Sequence, residues 1–434
     1  MQTPAFPLTD QFSDLLARLP PDLDLDALAR RTKAIERKRE IDTGADLLRL
    51  ALVRGPGGLS LSQTGAWAAM RGLGRLSDPA VKGRLDKAVG FLQAILEHQL
   101  AAKSAGAALR WPGRILRASD GTCISRPGST GTDWRVHAVF DLGRGGFSHL
   151  DLTDGRGAEA IDRGAPIAGE IRIGDRNYAS AESLQGFRQQ SGELADFIVR
   201  ARWNAFSLSL RDGTGFDLIA HLTTLPVDLV PHEVTVQAKV GRSQLPLPLP
   251  LRLIIQRKSP EATEATRQRL RREALRRQRT LDPRSLIAAE FLILATSLPA
   301  EGYPAEEVLA AYRLRWQIEL AFKRLKSLLH IDRLPTRTAQ ASRSWLLAHL
   351  ILALLCDDLS QEFLGSSPSG PARRGLCPVA LAGAEHRIPA ARPGDARPDQ
   401  ARRHAARRSG RTSPACSSPT KAKTSDRIPN STLT

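Results

Sequence analysis

The sequence predicts an α/β protein: a sheet-based core preceded by a helical region and carrying a β-rich insertion. Three observations lead there. From about Phe12 to Ala102, apolar residues recur at mixed three- and four-residue spacing, the period of packed helices. From Arg110 onward the pattern changes to short β runs. Near the far end, Ala311–Leu329 (AYRLRWQIELAFKRLKSLL) has an apolar and a polar side when read at helical pitch.

Composition sets the bounds. The chain has 434 residues, 41% of them hydrophobic, enough for one large or two modest domains. There is no run of about 18 apolar residues, so no membrane span is expected. The Met1 end lacks a basic stretch followed by an apolar one, the mark of a secretory signal. Cys123, Cys356, Cys377 and Cys416 are scattered, which argues against a zinc ribbon or disulfide framework and fits a reducing cytoplasm. The net charge is +18, and a polyanion is the natural partner. From Gly365 onward there are 13 Lys and Arg against four Asp and Glu, so +9 of the +18 lies in the tail.

In the helical region, LDALARRTKAIERKREIDTGADLLRLALVR reads as helix, LSLSQTGAWAAM has a Ser-rich entry that suits an N-cap, and AVKGRLDKAVGFLQAILEHQL follows a break at Arg75–Pro79. A helical DNA-binding module, helix-turn-helix-like, and a bundle that only packs fit these residues equally well. RILRASDGT then reads as a strand ending on Asp120 and Gly121, and WRVHAVFDL and SHLDLTD as a second and third strand joined by short turns, an antiparallel meander. GAEAIDRGAP follows as a short helix or turn, IRIGDRNYAS ends a strand on Asp175 and enters the helix AESLQGFRQQ, and ADFIVRAR is the next strand. The order β-β-β-α-β-α matches the start of a ribonuclease-H-like fold, and adjacent parallel strands would bring Asp120 and Asp175 together. Asp141, Asp151, Asp154 and Asp162 read as turn and surface residues.

Between Arg202 and Leu286, alternating segments with several prolines read as an added β-rich region, separate from the parallel core. EATEATRQRLRREALRRQRT is a basic helix, suited to a phosphate backbone or simply solvated. AEFLILATSLP returns as the last core strand, and YPAEEVLAAYR leads into the two-faced helix. There Leu314, Ile318, Ala321, Leu325 and Leu328 form the apolar stripe. Tyr312, Arg315, Glu319, Lys323 and Lys326 share the other side. On spacing alone this is a solvated face with i,i+4 pairs worth a few tenths of a kcal/mol each.

Tyr312, Arg315, Glu319 and Lys326 also reproduce the pattern Y-x2-R-x3-E-x6-K, inside RWQIELAFKRLKS. This resembles the C-terminal signature of the DDE transposases of the insertion-sequence-4 family. SDGT at Ser119–Thr122, PGSTGTDWRVHAVFDL after it, and GDRNY at Gly174–Tyr178 resemble the family's two aspartate motifs. The resemblance runs from about Leu23 to Leu364. It implies a bacterial cut-and-paste transposase with a ribonuclease-H-like catalytic core, acting on double-stranded DNA at transposon ends and target. It implies Asp120, Asp175 and Glu319 as the catalytic, metal-binding carboxylates, with Mg²⁺ (Mn²⁺ as a substitute), and Tyr312, Arg315 and Lys326 as DNA contacts. Lys323 shares the face outside the motif and is a weaker DNA-binding candidate. A homodimer in the DNA complex, a cytoplasmic, nucleoid-associated location and no membrane follow from the same resemblance.

The expected organisation is a helical DNA-binding region at 1–109, the first part of the core at 110–203, the β-rich insertion with its basic helix at 204–286, and core completion with the glutamate helix at 287–364. Some members of that family carry a base-stacking Trp at the start of the last strand; the equivalent stretch here is Phe291–Leu292. Trp203 and Phe291 could stack on a base, but core packing suits both better. Ser342–Leu364 reads as an apolar helix closing the core. Residues 365–434 are rich in Arg, Pro, Ala, Gly and Ser, with no aromatic after Phe363, and are expected to be disordered. They are either a basic arm for DNA or the product of a shifted reading frame near Gly365, the reading favoured. Two rival functions stand beside transposition: a metal-dependent nuclease without strand transfer, and a catalytically inactive DNA-binding remnant or inhibitor of an intact transposase.

Overall fold

The computed structural model describes residues 12–37, 40–103, 109–240 and 248–365, with side chains to residue 358. They belong to one compact unit, Met1–Gly375. The tail expected to be disordered lies outside the described residues.

Among the described residues six helices come first: α1 (Phe12–Leu16), α2 (Leu25–Arg31), α3 (Gly44–Arg54), α4 (Leu61–Met70), α5 (Asp78–Lys87) and α6 (Val89–Ala101). Their starts are chemically marked. The Asp24 carboxylate accepts from the Asp26 and Ala27 amides at the head of α2, and Ser60 and Gln63 form a reciprocal capping box at the head of α4. Two runs that the pattern reads as single helices are broken. The first is interrupted between Arg31 and Gly44, and the second at Ala88.

The sheet follows: β1 (Ile115–Ile124), β2 (Trp134–Asp141), β3 (Gly146–Asp154), β4 (Glu170–Gly174), then α7 (Ala181–Gln190), β5 (Asp196–Arg200), β6 (Leu208–Ser209), α8 (Leu218–Thr224), β7 (His232–Ala238), β8 (Leu249–Arg257), α9 (Pro260–Arg276), α10 (Pro283–Ala288) and β9 (Phe291–Thr296). The nine strands make one mixed sheet in the order β3-β2-β1-β4-β5-β9-β8-β7-β6. β1, β2 and β3 form the antiparallel meander, while β1, β4 and β5 run parallel. The insertion departs from expectation. Its strands do not stand apart from the core: β8 pairs along β9, and β9 pairs with β5, so the insertion extends the same sheet.

The central strands are buried on both faces, and period-2 alternation sorts their side chains. Ile171, Ile173, Ile198, Ile254 and Leu294 join one apolar cluster with the N-terminal helices. Phe197, Val199, Leu253, Ile255, Ile293 and Ala295 join the other. The chain ends its described part with α11 (Ala305–Arg313), α12 (Trp316–Leu328) and α13 (Ala339–Gly365). α13 packs on α3, α5, α6 and β3. Its stretch Ala339–Asp358 is long and apolar enough by composition to cross a membrane, which the count of consecutive apolar residues does not detect, but 67% of its apolar window is buried inside the molecule.

Candidate active site

The site begins with strand register. β1 and β4 pair in parallel from Ile115↔Glu170 to Ala118↔Ile173. Carrying that register two residues further on each strand sets Asp120 beside Asp175. Side-chain parity agrees. Ala118 and Ile173 belong to the cluster that also holds Ile318, Ala321, Phe322 and Leu325 of α12. Residues two positions on emerge on that same face, and α12 packs against β1 there. One expectation is corrected: Asp120 does not end its strand. β1 continues to Ile124 because Asp120 through Ile124 keep pairing with β2; the Gly121 that suggests a turn lies in extended strand.

Asp175 does leave its strand. Its carboxylate accepts from the Asn177 amide at 2.7 Å, and its carbonyl accepts from the Tyr178 amide, an Asx turn. Tyr178 folds back into the core, 2% exposed. A side chain at Gly174 would meet the Tyr178 Cβ at 2.8 Å, so the glycine of GDRNY is required by this close approach.

The glutamate helix differs from the continuous helix expected over Ala311–Leu329. α11 stops at Arg313 and α12 starts at Trp316. The joint is made of i→i+3 bonds, from Leu314, Arg315, Gln317 and Ile318 to Ala311, Tyr312, Leu314 and Arg315, a 3₁₀-type tightening. Tyr312 therefore sits on the last turn of α11 and Arg315 at the entry to α12. The Arg315 guanidinium lies 3.8 Å from Asp120 and hydrogen-bonds Glu319. It is the group that links the first carboxylate to the third. Burial raises the Tyr312 hydroxyl above its usual range, against the neighbouring Arg315 and Arg200 charges. Lys323 and Lys326 follow about one and two turns after Glu319, Lys323 exposed and Lys326 half-buried.

Burial pushes the Asp120 carboxyl up to about 6; the Gly121 amide bond and Arg315 oppose the rise, while Asp175 and Glu159 add to it. Crowded carboxylates of this kind suit a hard divalent cation, which takes oxygen donors. Arg315 supports the match, since a positive charge already bridges Asp120 and Glu319. Among the described residues, no three His, Cys, Asp or Glu side chains stand close enough to hold an ion jointly. Glu319 is turned to Arg315 and is half exposed.

Glu159 escaped the sequence reading. Its side chain is 17% exposed, and its charge is felt at Asp120. It lies in an irregular segment without periodicity or motif, so no signal marked it. Asp141, read as a surface residue, is fully buried and pairs with Arg117 at 3.5 Å. Asp151 pairs with Arg163 at 2.9 Å, Asp162 accepts from Ser183, and Asp154 is exposed at the end of its strand, where its carboxylate accepts from the Arg156 amide at 3.0 Å. Phe291 is buried under Arg257, and Trp203 lies under Arg284 with its N–H donated to Ser285. Both pack within the protein.

A family model described as "Transposase DDE domain" matches residues 111–355. The chain is 38% identical over 359 residues to a transposase of insertion sequence element IS186A from Escherichia coli, covering 83% of this chain and 96% of that protein. It is also 38% identical over 360 residues to the transposase for insertion sequence element IS421 from Escherichia coli, with the same coverage. Among solved structures, a piggyBac transposase synaptic complex with hairpin DNA aligns at TM-score 0.42 and 9% identity, over 82% of this chain and 76% of that one.

Proposed function

The chain belongs to the family of transposases with a DDE domain, metal-dependent enzymes that cleave DNA and transfer strands, and from that premise we propose that Asp120, Asp175 and Glu319 are its catalytic carboxylates. The observation that carries this is the continued β1–β4 register, which brings Asp120 and Asp175 level on one face, with Arg315 joining Asp120 to Glu319.

The proposed core is ribonuclease-H-like, of the insertion-sequence-4 type, with the insertion grown onto its sheet. The proposed activity is cleavage at terminal inverted repeats and cut-and-paste transfer into target DNA, by two copies acting on two ends in the bacterial cytoplasm. The three carboxylates would hold Mg²⁺ ions, whose chemistry when bound is to activate the attacking water or 3′-hydroxyl and stabilise the leaving oxygen. The rest falls to the chain's own groups. Asp120 must give up the proton that burial makes it retain to about pH 6. Arg315 must release Glu319, and a phosphate is the partner that its planar donors suit. Tyr312, on the preceding turn beside Arg315, is a further contact to the DNA. Lys326 and, more weakly, Lys323 offer point charges further along α12 to the same backbone. In the proposed division, 1–109 reads DNA, 110–203 and 287–364 form the core, and 204–286 is the insertion.

The test is cleavage of a labelled DNA carrying the element's own ends, with Mg²⁺, by the full chain, by a chain ending at Leu364, and by Asp120→Ala, Asp175→Ala and Glu319→Ala. The expected result is cleavage by the full chain that drops to background in each carboxylate variant while end binding is retained. Cleavage that survives any one of the three substitutions would remove that residue from the site. Binding without cleavage by every version would leave a protein that only occupies DNA ends.

A further inference from the structure

The segment between β3 and β4 places Glu159 against both aspartate-bearing stretches. One carboxylate oxygen accepts from the Asn177 side-chain amide at 3.0 Å. The Asn177 backbone amide is the donor that holds the Asp175 carboxylate at 2.7 Å, and its side-chain oxygen accepts from Arg202 at 2.9 Å. The other oxygen of Glu159 lies over the neighbour of Asp120. A Cβ built on Gly121 would meet it at 3.1 Å, a contact so tight that a side chain there would push Glu159 back by a few tenths of an ångström. Behind it, Arg135 of β2 donates to the Gly157 carbonyl at 2.7 Å and stands 4.0 Å from Glu159. Arg172, 1% exposed, donates to the carbonyls of Ile161, Arg163 and Gly164. The segment that carries Glu159 is thus anchored on both sides of it.

A surface glutamate would need none of this anchoring. We infer that Glu159 is a positioning residue for the divalent-ion site, a strut that fixes the turn carrying Asp175 against the strand carrying Asp120. It acts through Asn177 as a hydrogen-bond acceptor. Carboxylate ligands are oriented by such outer partners, and removing one costs metal affinity. The inference rests on the reading of Asp120 and Asp175 as ion ligands.

The experiment is titration calorimetry of the full chain with Mn²⁺ alone, DNA absent, with a thermal melt of every variant. Glu159→Ala and Asn177→Ala should each weaken Mn²⁺ binding about tenfold or more, while Glu159→Gln, whose amide oxygen can still accept from Asn177, should stay within about threefold of the unmodified chain. The double variant Glu159→Ala/Asn177→Ala should be no weaker than either single one, as expected for two residues acting through one bond. Unchanged affinity in Glu159→Ala overturns the inference. So does equal loss in Glu159→Gln and Glu159→Ala, which would make the charge itself the active feature, and so does additivity in the double variant. If Glu159→Ala fails to fold, Asn177→Ala, at an exposed position, and Glu159→Gln decide the matter. Asp120→Asn is the reference: Mn²⁺ affinity unaltered there would overturn the site reading itself, and this inference with it.

Discussion

At Asp120, strand burial and the proposed role as an ion ligand make opposite demands. In the folded chain its carboxyl holds a proton to about pH 6, against an ordinary value of 3.8. The folded state therefore binds more protons than the unfolded state between those values. The group favours folding below about pH 3.8, and that contribution is lost as pH rises through about 6, up to about 3 kcal/mol in all. Asp120→Asn removes the titration. Without divalent ions, the variant should melt above the unmodified chain at pH 8, with the gain gone near pH 3.5. Mn²⁺ should then stabilise the unmodified chain and leave the variant unmoved. A difference in melting temperature that did not vary with pH would mean a solvated, ordinary Asp120.

Among the elements, the opposite face of β1 and β4 holds a second charge cluster with a purely structural task. Arg172 is fully buried, bound to Glu170 at 2.6 Å and stacked over Phe187; Arg117 reaches Glu170 at 3.2 Å and Asp141 at 3.5 Å. Arg172→Leu would leave a buried carboxylate short of a partner and three carbonyls without a donor, a loss of about 3–5 kcal/mol in a denaturant titration. Ser60→Ala, which removes half of the α4 capping box, should lose about 1 kcal/mol by the same measurement. These elements also mark how far sequence reading reaches. The meander, the parallel strands bearing Asp175 and Arg200, and the buried part of the α12 stripe, Ile318, Ala321 and Leu325, follow from local period and were legible; Leu328, read into the same stripe, is exposed. The pairing of β8 with β9 was not, since alternation says that a strand has two faces and nothing about its neighbour. The joint at Leu314 was hidden because Leu314 and Arg315 keep helical backbone angles, so the apolar spacing runs through it undisturbed. Asp141 and Glu159 were missed because their environments are made by residues far away in the chain.

For the molecule as a whole, α13 is the clasp: Leu346, Leu347, Leu350, Ile351 and Leu354 are fully buried between the N-terminal helices and β3. Ile351→Ala should cost about 2–5 kcal/mol, read as a lower denaturation midpoint of the entire unit in one transition. A chain ending at Gly365 keeps this clasp and carries +9 in place of +18. If the tail contacts DNA, that chain should show a shallower fall of affinity with salt; an unaltered slope would show that the tail makes no such contact. The place of β9 has a consequence in time. The Thr296 hydroxyl reaches the Phe197 carbonyl across 99 residues of chain, with the insertion strands synthesised in between. During translation β5 waits as a bare edge for about 5–20 s at ordinary elongation rates, an interval that invites mispairing and makes slow, chaperone-dependent maturation the expected behaviour. Glu319 leaves the ribosome later still. On the proposed assignment of the site, an interrupted synthesis therefore releases a chain that has both aspartates and lacks the third carboxylate, so cutting power would reach the cell's DNA only once the whole sheet can close.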